Sequence, residues 1–253
     1  MASIDLEHLC IDFPVASSQR GHSIKAAVLD KARGIGGRMV DTSGSAVAVR
    51  AIDNVTLSLK VGDRLGLIGH NGSGKTTLLR VMAGIFAPTS GRAEIRGRTV
   101  SMFDIGLGID AEASGHENIY MRGLILGMSE TEIEAKRQEI AEFSELGPYL
   151  DLPVRTYSSG MAMRLMFSIA TSIQGQIVLM DEWIAVGDAQ FRDKANTRLR
   201  EVTDRAGILV IASHDEGLLR GLCTLGARME NGRVTAFGPI AEVLSGEGHG
   251  RAA

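Results

Sequence analysis

Five positions in this sequence carry the side chains that phosphoryl chemistry requires. Lys75 and Thr76 stand within the run Gly69, His70, Asn71, Gly72, Ser73, Gly74, Lys75, Thr76, Thr77; Asp181 and Glu182 close one apolar run, and His214 follows another. A lysine ammonium can reach the β and γ phosphates of a nucleoside triphosphate as a point charge, while a threonine hydroxyl can join the coordination shell of Mg²⁺. Asp181 can hold that metal, directly or through water, opposite Thr76. Glu182 can polarise the water that attacks the γ phosphate, and a histidine at position 214 can hydrogen-bond a phosphate oxygen and register its presence.

These residues need particular elements to position them. The run GHNGSGKTT has the spacing Gly-x4-Gly-Lys-Thr; it follows the apolar Leu65-Gly66-Leu67-Ile68 and opens a helical pattern at Leu78 that Gly84 can close. Strand, glycine-rich turn and helix form the context in which such a match has a mechanism. Gly69, Gly72 and Gly74 allow positive φ and close approach of backbone N–H groups to an anion, and the helix directs its positive end at the same spot. The chain has 31 glycines, yet an accidental match is expected in only about one per cent of chains of this length. The loop by itself does not separate kinases, GTPases, motors and transporters. Ile177-Val178-Leu179-Met180 reads as a strand buried on both faces, with Asp181 and Glu182 at its C-terminal end, where ligands gather in open α/β sheets.

With 253 residues, 44% of them hydrophobic and 23% charged, the chain suits one large α/β domain, or a core with an inserted subdomain. The net charge of −3 and the absence of a long basic block argue against general nucleic-acid affinity. No apolar run approaches the roughly 20 residues that span a bilayer, and MASIDLEHLC lacks the charged and apolar regions of a signal peptide. A membrane role is therefore expected to come through a partner. Cys10 and Cys223 fit no metal spacing and read as small core residues in a reducing compartment.

Residues 4–13, IDLEHLCIDF, read as a first strand, at whose end Phe13 is placed either to lie against an adenine ring or to fill the core. Residues 15–46 are rich in Gly, Ser and basic side chains and read as an insertion. Ile24, Ala27, Val28 and Ala32 can share one helical face there, set against a membrane surface or membrane partner; a solvated loop is the competing reading. Strands are expected at 49–59, 93–95 and 99–102. The pattern then turns helical: Ser129-x-x-Glu132 is a capping box, with Ile133, Ile140 and Phe143 on one side and Gly147 as the expected stop. Met161, Leu165, Ile169 and Ile173 recur at helical spacing after Tyr157-Ser158-Ser159-Gly160-Met161. The expected division is a core of about 1–104 and 170–253 with a helical subdomain of about 105–169. Asn231-Gly232 signals a hairpin, and Pro239 a closing helix.

The phosphate loop, the IVLMDE run, the YSSGM segment about twenty residues ahead of it, Val186-Gly187-Asp188 just after, and His214 together resemble the ABC ATPases in order and spacing over nearly the whole chain. That resemblance implies a P-loop NTPase (RecA-like) α/β core of ABC type, with an antiparallel β subdomain and an inserted helical subdomain. It implies ATP and Mg²⁺ as ligands. It also implies a head-to-tail homodimer sandwiching two ATPs, in which Ser158, Ser159 and Gly160 of one protomer meet the nucleotide of the other and Asp188 lies close by. Tyr157 stands where the family has Leu, Ser159 where it has Gly, and Met161 where it has Gln. No Gln occurs between Ala93 and Gln138, so the loop expected near Asp104 or Ile105 lacks the family glutamine.

Within the family, YSSGM, DEWIAVGDAQF and the stretch GLGID…SGHENIYMRG are similar to ATPases that export bacterial cell-surface polysaccharides such as O-antigen, capsule or teichoic acid. The implied setting is the cytoplasmic face of the inner membrane. The implied partner is an ABC-2 type integral-membrane permease, and the implied cargo a lipid-linked glycan. The last residue, Ala253, falls soon after the final helix, so cargo selection is expected to lie elsewhere. Transport of another cargo, a non-transport ABC ATPase and a P-loop small-molecule kinase are the alternatives, the last giving no account of YSSGM.

Overall fold

The computed structural model describes residues 1–15, 38–42, 46–103, 105–182 and 189–246, which fall into two compact units. The first comprises Met1–Gly97, Leu179–Glu182 and the chain from Gly207, and the second comprises Arg98–Val178 and Trp183–Ala206. The helix expected over Ile24 to Ala32, and the Asp104 and Asp188 expectations, lie outside the described residues.

In the first unit, β1 (Ser3–Val15), β2 (Arg38–Thr42), β3 (Ala46–Lys60) and β5 (Ser90–Arg96) form an antiparallel sheet in the order β2-β3-β1-β5. Alternating Ile4, Leu6, Ile52, Val55, Leu57 and Leu59 are at most 1% exposed, as expected of a sheet with one face against the core. Within the stretch read as an insertion, Arg38–Thr42 proves to be a strand on β3. Its Met39 and Val40 stand opposite Val49 and Ala48, an alternation too short to stand out beside the Gly and Ser around it.

The second sheet of this unit carries the site. β4 (Arg64–Ile68) lies parallel to both β8 (Ile208–Ala212) and β9 (Leu225–Glu230), β10 (Arg233–Pro239) runs antiparallel to β9, and the order continues from β8 to the end of β7 (Ile177–Asp181). Every residue of β8 has an exposure of 0%, which is why ILVIA shows no alternation: a strand covered on both faces reads as a continuous apolar run. The hairpin between β9 and β10 turns on Asn231 (φ 49°) and Gly232 (φ 80°), the positive-φ pair that the dipeptide signals. Among the described residues of this unit, the helices are α1 (Lys75–Met82), α6 (Glu216–Leu222) and α7 (Ile240–Ser245), the last following Pro239.

The second unit is chiefly helical: α2 (Gly115–Ile125), α3 (Glu130–Ser144), α4 (Ser159–Ser172) and α5 (Ala189–Arg205), with a short strand β6 (Thr99–Ser101). Ser114/Glu117 and Ser129/Glu132 are reciprocal capping boxes at the starts of α2 and α3. Gly147 does not stop α3. The helix ends at Ser144 with Glu145 in the left-handed conformation (φ 57°), and Gly147 (φ 51°) opens a separate 3-10 turn, Gly147–Asp151. The Glu145 carboxylate pairs with Lys194 at 2.7 Å and Arg164 at 3.4 Å. Ile119, Ile140, Leu150, Leu165 and Ile169 fill one core, and Phe143, Phe167 and Phe191 stack and cross in another. Both cysteines are buried and free; burial pushes the Cys223 thiol up to about 12, which leaves it protonated and unreactive.

Candidate nucleotide site

The phosphate loop is built from backbone. Gly69 (φ 155°), Gly72 (φ 79°) and Gly74 (φ 107°) carry it from β4 into α1. A β-carbon on Gly69 would stand 2.4 Å from the Met229 carbonyl oxygen, and one on Gly74 2.8 Å from that of Ala51. The loop is thus wedged between β9 and β3, and only glycine fits at its two ends. Gly232 N–H donates to the Ser73 carbonyl at 2.9 Å, tying the hairpin turn to the same loop.

Inside this cradle Lys75 is 7% exposed, its ammonium donating to the Gly69 carbonyl at 2.6 Å and the His70 carbonyl at 3.2 Å. Burial holds the Lys75 ammonium below its ordinary range, and Asp181 and Glu182 oppose that shift. A desolvated cation hydrogen-bonded to carbonyls suits a phosphate. Ser73 Oγ is fully buried and has no hydrogen-bond partner, a polar atom left over in a loop otherwise shaped for an anion. Thr76 Oγ1 donates to Asp181 Oδ2 at 2.6 Å. This hydroxyl and carboxylate are hard oxygen donors of the kind Mg²⁺ takes, the remaining positions falling to phosphate and water. No cluster of three or more His, Cys, Asp or Glu side chains suited to a metal occurs among the described residues.

The cleft in front of the loop has a volume of about 480 Å³ and is lined by Ala51, Asn71, Gly72, Gly74, Lys75, Thr76, Thr77, Asp181, Glu182 and His214. The structure therefore brings together the loop, the acid pair and the histidine singled out by sequence. His214 Nε2 lies 3.0 Å from Asn71 Oδ1 and 4.0 Å from Glu182 Oε1. Glu182 adopts a left-handed backbone (φ 68°), uncommon for a residue with a side chain. Phe13, 38% exposed, meets Phe86 edge to face with ring centroids 5.3 Å apart, so one edge is packed while the remainder stays available to a ring.

Ser158 belongs to the second unit. It caps α4, its Oγ accepting from Met161 N–H at 3.2 Å; Ser158 and Ser159 are exposed. Two further residues with defined roles were not singled out by sequence. Ser213 contacts Glu182. Arg122, 3% exposed, donates to the carbonyls of Ile105 and Leu107, so that a buried guanidinium, not a glutamine, fastens this loop. Burial pushes that guanidinium below its usual range. The only available signal was an arginine in an otherwise apolar helix stretch. The second unit also holds a cleft of about 440 Å³ lined by Arg98, Lys136 and Arg198 among others. These cations are paired with Glu132 and Glu139 at 2.6–2.7 Å, which makes it a poor anion site.

A glycine cradle, a buried lysine, a hydroxyl–carboxylate pair and an adjacent acid define a P-loop nucleoside triphosphatase. The family model described as "ABC transporter" matches residues 52–185, and the chain belongs to that family, as one of its ATP-binding, ATP-hydrolysing subunits. It is 43% identical over 238 residues to the O-antigen export system ATP-binding protein RfbE of Yersinia enterocolitica, covering 92% of this chain and 97% of that one. It is 39% identical over 194 residues to the teichoic acids export ATP-binding protein TagH of Lactococcus lactis, covering 77% of this chain but 41% of that protein; against RfbB of Myxococcus xanthus the figures are 41% identity and 80% and 46% coverage. A solved ATP-binding subunit of an ABC transporter superposes with a TM-score of 0.67 at 18% identity, over 98% of this chain and 95% of that one. An ATP-binding cassette solved as a dimer in a post-hydrolysis state with ADP and Pi gives 0.64 at 17%, over 94% and 98%. Both share the fold.

Proposed function

We propose that this chain is the ATPase of a bacterial exporter that moves a lipid-linked cell-surface polysaccharide, of O-antigen, capsule or teichoic-acid type, across the inner membrane. It works at the cytoplasmic face, as a homodimer on an ABC-2 type permease. What carries the reading is the match along nearly the full length of an O-antigen export ATPase, joined to a complete phosphate cradle. No helix among the described residues is long and apolar enough to cross a membrane, consistent with a separate permease.

In this account the loop N–H groups and Lys75 bind and orient the triphosphate, and Phe13 lies against the base. Thr76 and Asp181 hold Mg²⁺, which when bound neutralises charge on the phosphates. Glu182 accepts a proton from the attacking water, and His214, facing the γ position beside Asn71, steadies that phosphate. Ser158, Ser159 and Gly160 of the second protomer close the pocket from the helix end that the Ser158 cap presents; Asp188, which lies outside the described residues, is assigned to the same nucleotide pocket by the family order of motifs alone. ATP binding closes the dimer, and hydrolysis reopens it.

The test is genetic and chemical together. Deletion of the gene is expected to trap glycan inside the cell; wild type restores surface glycan and Glu182→Gln does not, while the purified variant still binds ATP. Unchanged surface glycan after deletion would exclude glycan cargo, and full turnover by Glu182→Gln would remove Glu182 from its role.

A further inference from the structure

We infer that Ser213 is a positioning residue for ATP hydrolysis, aiming the Glu182 carboxylate through a direct hydrogen bond. This rests on the reading of Glu182 as the general base.

Glu182 is fastened at three points to the end of β8 and the two residues that follow it. Its N–H donates to the Ala212 carbonyl at 2.8 Å, Ser213 Oγ donates to its Oε2 at 2.8 Å, and His214 N–H donates to its Oε1 at 3.2 Å. The backbone of Glu182 is left-handed, a conformation that persists where surroundings over-determine it, and these bonds do so. Ser213 is 2% exposed, so its hydroxyl has no water to turn to. Its direction is fixed as well: Asp215 N–H donates to Ser213 Oγ at 3.1 Å, which occupies a lone pair and leaves the hydroxyl hydrogen for Glu182. Asp215 in turn caps α6, accepting from Leu218 N–H at 3.0 Å. The aim of the carboxylate is thus set from the start of a helix.

Each carboxylate oxygen has two acceptor directions, and each is used once by this clamp. The side chain is 50% exposed and lines the cleft in front of the loop. The free directions can accept the proton of a water there. Without the Ser213 hydroxyl, one oxygen loses its tether, and the carboxylate turns about its terminal bond among orientations of which one is productive.

Ser213→Ala is therefore expected to lower kcat for ATP about tenfold, with KM and the ATP dissociation constant changed less than twofold, since the residue does not touch the phosphate loop. Ser213→Thr, which keeps the hydroxyl, restores kcat to within threefold of wild type. In the Glu182→Gln background, Ser213→Ala causes no further loss of the residual rate, because the two act as one unit. An unchanged kcat in Ser213→Ala, a Thr variant as slow as the Ala variant, or an equal tenfold loss in the Glu182→Gln background would each overturn the inference. Full activity of Glu182→Gln alone would instead overturn the reading on which it rests.

Discussion

Replacing Gly115 by alanine sets two effects of opposite sign against each other. Gly115 is the first residue of α2, where alanine favours a helix by up to about 1 kcal/mol over glycine. A β-carbon there would stand 2.5 Å from Tyr157 Oη, 2.7 Å from Leu150 Cδ2 and 3.0 Å from Leu150 Cα. Carbon contacts are comfortable at about 3.5–4 Å, so both neighbours must shift by about an ångström. Neither is a loose end: Leu150 is 2% exposed, and Tyr157 Oη donates to the Tyr149 carbonyl at 2.6 Å. Overpacking costs about 1–3 kcal/mol, and the strained tyrosine bond adds about 1 kcal/mol. The clash outweighs the helix gain by about 2 kcal/mol, a fall in thermal midpoint of about 4–8 °C at this chain length. Because Tyr157 immediately precedes Ser158, ATP turnover is expected to fall while ATP binding by the phosphate loop of the other unit is retained. Differential scanning calorimetry and ATP titration read the two effects. A variant as stable as wild type, or more so, would refute the packing argument.

Lys75→Ala is expected to weaken ATP binding about ten- to hundredfold, since a hydrogen bond to a charged group contributes about 1.5–3 kcal/mol; equal affinity in isothermal titration would contradict the cradle. Glu132 gives a pH test. The backbone N–H of Ser129, then Arg98, holds its carboxyl down to about 2, from an ordinary 4.5. A depressed carboxyl contributes stability that is fully present above the unfolded value and is lost as pH falls through the folded one. Wild type is therefore expected to exceed Glu132→Gln in urea midpoint at pH 6, with the gap narrowing below pH 4.5 and closing near pH 2. A gap that widened with acid would contradict the sign.

What was legible in the sequence was what repeats with a period or needs a special backbone. The GHNGSGKTT glycines, the Asn231-Gly232 turn, the Ser129/Glu132 cap and the two doubly buried strands announce themselves because few residue types satisfy those conformations. The family order of motifs placed Asp181, Glu182 and His214, and the structure gathers them on one cleft. Less was legible where a role depends on contacts distant in sequence. Arg122 looks like any helical arginine until its guanidinium is found on the carbonyls of Ile105 and Leu107. Ser213 looks like the end of a strand until its hydroxyl meets Glu182 from 31 residues away. Gly147 misled because a glycine near a helix end is the common stop, whereas Glu145, paired with Lys194 and Arg164, took the left-handed position two residues earlier.

The measurement that bears most directly on the account is the solution mass of Glu182→Gln, by sedimentation equilibrium, in MgATP, in MgADP and without nucleotide. The expected result is a doubling of mass in MgATP alone, abolished by Ser158→Glu, which would set a carboxylate against the γ phosphate delivered by the partner protomer. A protein that keeps its single-chain mass at saturating MgATP, or a dimer indifferent to Ser158→Glu, would contradict the shared nucleotide pocket.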